Sequence, residues 1–245
     1  MDRQIGKLSN TQVSMYQQCP KLWYISYILK IRMEEKPQPL CFGIALHDGM
    51  EALCHGWKEE EYPAVMAKQV FEKSYREGEG KGPNPEYWIA IGSRLIDNFD
   101  QKLQQLKFEP VISEQMMAND HYVGKVDCIG MVDGVRTVID WKTASRPYED
   151  RDVELSDQLT GYAWLTGCHN VAFCVGVKDT GDIYWYSTTR TPQQVSEYED
   201  RILTLRHELK TRAEFPGRHN REACMAWNRK CDAWLLGACE GLDDF

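Results

Sequence analysis

Charged side chains stand at chemically useful spacings in a few short runs of this chain. Val138-Ile139-Asp140-Trp141-Lys142-Thr143 reads as an apolar strand that ends in an acid and an amine two residues apart. Side chains two apart on a strand share a face, so Asp140 and Lys142 project together while Ile139 and Trp141 turn the other way. Taken alone, the same pattern suits an ordinary surface ion pair worth about 0–1 kcal/mol. One hairpin upstream, Gly124-Lys125-Val126-Asp127 sets a second carboxylate on the neighbouring strand. Two carboxylates on adjacent strands make a hard-oxygen site suited to Mg²⁺ or Mn²⁺. A cation held there polarises a phosphoryl oxygen and lowers the pKa of a bound water. An ammonium group alongside stabilises the charge that develops. This is the outline of metal-assisted phosphodiester hydrolysis.

Two helical runs flank these strands. His47 lies in Gly43-Ile44-Ala45-Leu46-His47-Asp48-Gly49-Met50-Glu51, with Glu51 one turn further along the same face. Gln158 and Tyr162, at i and i+4, share one face of the helix that follows the strands. By spacing alone, a lone helical histidine and a polar stripe are better explained by structure than by chemistry. Three cysteines near the end of the chain, Cys224-x6-Cys231-x7-Cys239, sit among Arg229, Lys230 and Asp232, which suits buried apolar thiols poorly. Cys19, before Pro20, stands far upstream. Cys41, Cys54, Cys128, Cys168 and Cys174 lie in apolar runs, where a thiol behaves as a small hydrophobe.

The elements that must position these residues follow from periodicity. Residues 9–32 read as helical and interrupted at Cys19-Pro20. Helices are expected over 42–57, from Pro63 to about 77, and over 86–108, with Gly78 to Pro85 as a loop. Alternating runs over 110–116, 121–131 and 135–141 read as strands, the last two joined by an Asp133-Gly134 hairpin. A helix over 156–166, a hairpin of 171–177 with 183–188, and a helix over 191–212 follow, then a turn-rich stretch over 215–245. The fold class is α/β: a mixed central sheet flanked by helices, with a helical N-terminal region and a small C-terminal lobe. The 245 residues are expected to form a single domain.

Composition narrows the class of function. The chain is 42% hydrophobic and 27% charged, which excludes a disordered or collagen-like protein. Its longest apolar run, within 170–178, is far short of the roughly 20 residues of a membrane helix. Residues 1–10 are polar and carry no apolar signal core, so a cytoplasmic location is expected. Nine cysteines, an odd number, argue for free thiols rather than a disulfide framework. A net charge of −8 argues against a protein coated in nucleic acid but leaves room for a local basic groove.

Together and in this order, the pieces resemble the RecB-like branch of the PD-(D/E)xK nuclease superfamily. Its signature is a helix with Gly…His…Glu, a Gly-(Ile/Val)-Asp strand, an Asp-(Trp/Tyr)-Lys-Thr strand, and a helix with Gln-x-x-x-Tyr. The chain supplies Gly43…His47…Glu51, Gly124 to Asp127, Asp140-Trp141-Lys142-Thr143 and Gln158…Tyr162. No proline precedes Asp127, as is common in this branch. The resemblance implies a restriction-endonuclease-like core in which His47, Asp127, Asp140 and the Trp141 carbonyl ligate Mg²⁺ or Mn²⁺. It makes Lys142 the catalytic lysine, has Gln158 and Tyr162 orient it or the substrate, and adds Glu114 as a further acid. It also matches Cys19, Cys224, Cys231 and Cys239 to the iron–sulfur staple of AddB-type nucleases and CRISPR-associated exonucleases of the RecB class. Residues 1–33 and 214–245 would then form the lobe around a 4Fe–4S cluster. Spacing alone leaves zinc open.

The implied activity is that of a metal-dependent DNA exonuclease acting on single-stranded DNA or DNA ends. Recombination, repair or the trimming of CRISPR spacer precursors would be its setting, with a recombination or CRISPR integration protein as partner and no membrane. A structure-specific endonuclease on the same site, or a non-catalytic DNA-binding adaptor with a structural metal cluster, are the rivals. Arg201, Arg206, Lys210, Arg212, Arg218, Arg221, Arg229 and Lys230, joined by Lys21, Lys30 and Arg32, offer a phosphate-facing stripe against Glu208, Glu214 and Glu222. Tyr24, Tyr27, Trp227 and Trp234 are candidates for stacking on bases.

Overall fold

A computed structural model describes residues 5–31, 36–59, 62–78, 84–226 and 229–241. Arg32, Trp227 and residues 79–83 of the expected loop lie outside them. The chain divides into two compact units, residues 1–34, 119–123 and 200–245 in one and 35–118 with 124–199 in the other.

The second unit is built on a five-stranded sheet, β1 (Glu109–Ala118), β2 (Val123–Val132), β3 (Val135–Ala144), β4 (Asn170–Val177) and β5 (Ile183–Thr189), in that spatial order. β2 and β3 pair antiparallel across a turn in which Asp133 and Gly134 both take positive φ, 48° and 78°, the backbone that a two-residue hairpin demands. β3 and β4 run parallel, so the chain between them must cross over. It does so through α6 (Asp150–Glu154) and α7 (Asp157–Thr166). The Ser156 side chain caps α7 by accepting from the Leu159 amide, and Gly167 ends it at φ 63°. β4 and β5 close the sheet antiparallel.

Three helices, α3 (Gln38–Glu59), α4 (Pro63–Glu77) and α5 (Pro85–Gln105), precede the sheet. Pro63 and Pro85 open α4 and α5, at positions whose amides need no intrahelical partner. Buried side chains of these helices, among them Phe42, Leu46, Phe71, Leu95 and Phe99, form one core with Cys128, Ile139, Trp141 and Cys174 of the strands. The opposite core joins Val138, Phe173 and Val175 to Leu159, Tyr162 and Ala163 of α7. Ile139 and Trp141 thus point into the α3–α5 side, as strand alternation predicts, and Asp140 is left on the other.

In the first unit, α1 (Asn10–Gln18) and α2 (Pro20–Tyr27) are separate helices. Cys19 between them is extended at φ −161°, ψ 114°, because a residue preceding proline is driven out of the helical region. Phe215 packs among Tyr16, Trp23 and Tyr24. α8 (Pro192–Thr211) belongs to both units in sequence, and the short helices α9 (Arg221–Cys224) and α10 (Asp232–Leu235) complete the first. The short helices α6, α9 and α10 are too brief to show a 3.6-residue period, which is why periodicity does not predict them. Among the described residues, no helix is long and apolar enough to cross a membrane.

Candidate active site

The strand register brings the two aspartates together. Cys128 stands opposite Ile139, and one step further along that antiparallel register sets Asp127 beside Asp140. Asp127 Oδ2 accepts the Trp141 amide at 3.0 Å, which fixes the carboxylate against the neighbouring strand. His47 arrives from α3, its Nδ1 3.3 Å from Glu114 Oε1 and 3.4 Å from Asp127 Oδ2. Among the described residues, His47, Glu114 and Asp127 form the one group of three whose potential ligand atoms lie within 4.8 Å of one another.

Glu114 reaches this point by an unusual backbone. It sits in β1 with φ +49°, a left-handed conformation that a non-glycine residue rarely adopts. Such strain persists where the surrounding structure over-determines it, and here it accompanies a carboxylate that is 4% exposed and contacts both His47 and Lys125. Glu51, in contrast, stays outside the cluster; its carboxylate is 3.9 Å from His55 on the same helix.

Asp140 is fully buried, and its Oδ1 has no hydrogen-bond partner. Lys142 Nζ lies 2.5 Å from Oδ2 as an ion pair. A buried carboxylate with unused lone pairs is costly unless something satisfies it. Beside a histidine and two further carboxylates, a hard divalent cation is the group that fits. His47, Glu114 and Asp127 are the side chains that would hold it; Asp140, on the adjacent strand, lies outside this group of three.

A relay of hydrogen bonds positions the lysine. Lys142 Nζ donates to Gln158 Oε1 at 3.0 Å, Gln158 Nε2 donates to the Tyr162 hydroxyl at 3.0 Å, and that hydroxyl donates to the Lys125 carbonyl at 2.7 Å. The i, i+4 spacing on α7 therefore serves one chain of contacts running from β3 back to β2. Gly124 makes room for it: a Cβ there would come within 3.0 Å of Tyr162 Cε1. Phe173 lies 5.4 Å from Lys142 Nζ, a cation–π contact that sequence reading misses because Phe173 looks like any core residue of an apolar strand.

Electrostatics follow from burial and crowding. Asp127 is pushed far above the ordinary carboxylate range, first by burial and then by the charge of Asp140. Burial alone would depress His47, but the Glu114 hydrogen bond and the charges of Asp127 and Asp140 outweigh it and raise the imidazole above its usual value. Lys142 is likewise raised, because the ion pair with Asp140 outweighs desolvation. Glu114 is lowered: His47 and Lys125 overcome the effect of its burial. The cluster thus stands crowded with protons and negative charge, the condition a bound cation relieves.

The four cysteines lie in the other unit, and among the described residues no three of their sulfurs come within 4.8 Å of one another. Cys19, Cys231 and Cys239 pack with Leu22, Ile25, Ala223 and Ala233, and Cys224 feels the charges of the other three. The Cys231 amide donates to the Cys224 carbonyl at 2.8 Å. Burial raises the Cys224 and Cys231 thiols, and neighbouring sulfurs add to the rise.

The basic stripe is partly spent on internal contacts. Arg212 pairs with Glu208 and Tyr16, Arg206 with His121, and Arg229 with Asp232. Tyr24 stacks on Phe215, Tyr27 on Trp23, and Trp234 lies under Lys230, so these rings are already packed.

Residues 7–235 match the model of the PD-(D/E)XK nuclease superfamily, and the chain belongs to that superfamily. Among solved structures, a phage-related exonuclease from Haemophilus somnus 129PT is similar at 15% identity, over 60% of this chain and 80% of that one, with a TM-score of 0.37. A protein named SSO0001 is similar at 14% identity, over 80% of this chain and 85% of that one, with a TM-score of 0.29. No curated protein matches significantly.

Proposed function

We propose that this chain is a Mg²⁺- or Mn²⁺-dependent deoxyribonuclease that removes nucleotides from single-stranded DNA or DNA ends. The observation that carries the reading is the convergence of His47, Glu114 and Asp127 within ligand distance of one another, with Asp140 buried on the adjacent strand and paired to Lys142.

His47, Asp127, Asp140 and the Trp141 carbonyl hold the cation, with Glu114 as a further acid. When bound, the cation supplies Lewis-acid polarisation of the scissile phosphate and a water of lowered pKa. The chain's own residues do the rest. Lys142, kept protonated by Asp140, faces the reacting phosphate and stabilises the charge that develops. Gln158 fixes the direction of its Nζ, and Tyr162 fixes Gln158 against β2, so the ammonium group is oriented before substrate arrives. Burial of Asp127 and Asp140 excludes competing water from the carboxylates.

The cysteines complete the proposal. Cys19, Cys224, Cys231 and Cys239 hold a 4Fe–4S cluster that ties the N-terminal helices to the C-terminal lobe, zinc being the alternative. Four thiols from remote parts of the chain, Cys19 and Cys224 buried and Cys231 and Cys239 half-buried, are a suitable donor set. Recombination, repair or CRISPR spacer processing is the setting that the sequence resemblance supports.

An end-labelled linear oligonucleotide and a covalently closed single-stranded circle, each digested with Mg²⁺ and with Mn²⁺, test the activity. Stepwise loss of the linear substrate with intact circles is expected, as is loss of activity in Asp140→Ala and Lys142→Ala. Efficient cutting of closed circles would replace the exonuclease by an endonuclease. Full activity in both variants would remove the catalytic assignment.

A further inference from the structure

The Lys125 side chain has no place in the proposed mechanism, yet it contacts the site directly. Its Nζ lies 2.5 Å from Glu114 Oε2, while Glu114 Oε1 faces His47 at 3.3 Å. Both oxygens of this buried carboxylate are therefore engaged, one by an imidazole and one by an amine. The two partners differ in exposure: the Glu114 side chain is 4% exposed and that of Lys125 is 51% exposed.

We propose that Lys125 is a cation-released contact for the DNA backbone. It neutralises Glu114 in the metal-free protein and turns to a substrate phosphate once a divalent cation takes that carboxylate. The proposal rests on the nuclease reading and extends it to the order of binding.

The physical case begins with competition for one carboxylate. A cation held by His47, Glu114 and Asp127 draws on the charge that now attracts Lys125, so Glu114 cannot bind both with undiminished strength. Lys125 would be left with Asp48 and Glu51 of α3, which act on it only through longer-range attraction. Asp48 already accepts a hydrogen bond from Ser74, and Glu51 faces His55. An ammonium group on a flexible four-carbon stem, half exposed and two residues from Asp127, is then able to meet a phosphate.

Lys142 cannot take this part. It is held by Asp140, Gln158 and Phe173, and its side chain is 26% exposed. The site thus contains one lysine fixed at the reacting group and one able to exchange partners. Binding in sequence would follow: the cation first, then DNA, each step favouring the next.

The experiment compares the whole protein with Lys125→Met and Lys125→Arg. Titration calorimetry with Mn²⁺ alone, without DNA, should show Lys125→Met binding the ion about threefold more tightly, because the competing ammonium group is gone. Steady-state digestion of a single-stranded oligonucleotide should show its KM raised about tenfold, the loss of one charge-assisted phosphate contact, with kcat nearly unchanged. Lys125→Arg should restore KM. Should Lys125→Met lose its cooperative melt, Lys125→Gln takes its place. Unchanged or weaker Mn²⁺ binding, or an unchanged KM, overturns the proposal. Wild-type protein that neither binds Mn²⁺ nor cuts DNA would overturn the nuclease reading itself, a separate result.

Discussion

A carboxylate and an imidazole with raised pKa values sit where ligands must be deprotonated, and this sets the behaviour of the metal-free protein. Asp127 binds its proton more tightly folded than unfolded. The stability this contributes is fully present below the unfolded value of 3.8 and is lost as pH rises through about 8. His47, also raised, acts in the same direction: its contribution is present below 6.5 and fades above it. Glu114 opposes them only in acid, since a lowered pKa gives stability that is lost as pH falls. Metal-free protein should therefore melt at falling temperatures as pH climbs from mildly acidic toward about 8, and Mn²⁺ should raise the melting temperature more at the alkaline end. Asp127→Asn removes the charge while keeping an oxygen for the Trp141 amide. It should flatten this slope and abolish the Mn²⁺ response. Thermal melts with and without the ion decide the matter; a level wild-type profile would contradict the account.

At the scale of elements, two glycines make opposite predictions. Gly124 lies on β2 against α7, and a methyl group there would meet Tyr162 at 3.0 Å and Leu165 at 3.3 Å. Tyr162 is buried and cannot retreat without breaking its bonds to the Lys125 carbonyl and Gln158. Gly124→Ala should cost about 1–3 kcal/mol of stability and lower kcat more than KM, because Lys142 loses its orienting partner. Gly43, in α3 one turn before His47, has a helical backbone, and a methyl group added there would meet nothing within 4 Å. Gly43→Ala should therefore gain about 0.5–1 kcal/mol of helix stability, read as a raised melting temperature; a lower one would reveal a packing demand. Regular elements are also where the sequence is most legible. Asp140 with Lys142, and Gln158 with Tyr162, lie on a strand and a helix whose spacing encodes a shared face, and each pair shares that face in the fold. Glu114 was legible through the family resemblance but not through spacing, because its reach depends on a left-handed residue within β1 that no glycine or asparagine announces. The contact of Lys125, whose partner lies on another strand, was not legible.

For the molecule as a whole, the open question of stability lies in the unit that holds the four cysteines. Its segments come from both ends of the chain, and Cys19 and Cys224 stand about 205 residues apart, a separation at which a cross-link removes much chain entropy from the unfolded state. The apolar cluster around Cys19 holds Leu22, Ile25, Ala223 and Ala233, in a unit that also buries Leu8, Val13, Trp23, Ile202 and Leu209. Binding energy from a cluster would then act as folding energy for this unit. His47, Glu114 and Asp127, by contrast, belong to the sheet-bearing unit and its larger cores. Protein purified without oxygen should be brown, with absorbance near about 400 nm. Cys231→Ser should lose that colour and render the 200–245 segment sensitive to limited proteolysis. In the same variant, Mn²⁺ binding at the strand site should survive in protein that remains soluble. A colourless wild type with stoichiometric zinc would replace iron but keep the staple. A colourless, metal-free protein whose Cys231→Ser variant melts and digests like the wild type would show that burial of small thiols is enough to hold the lobe.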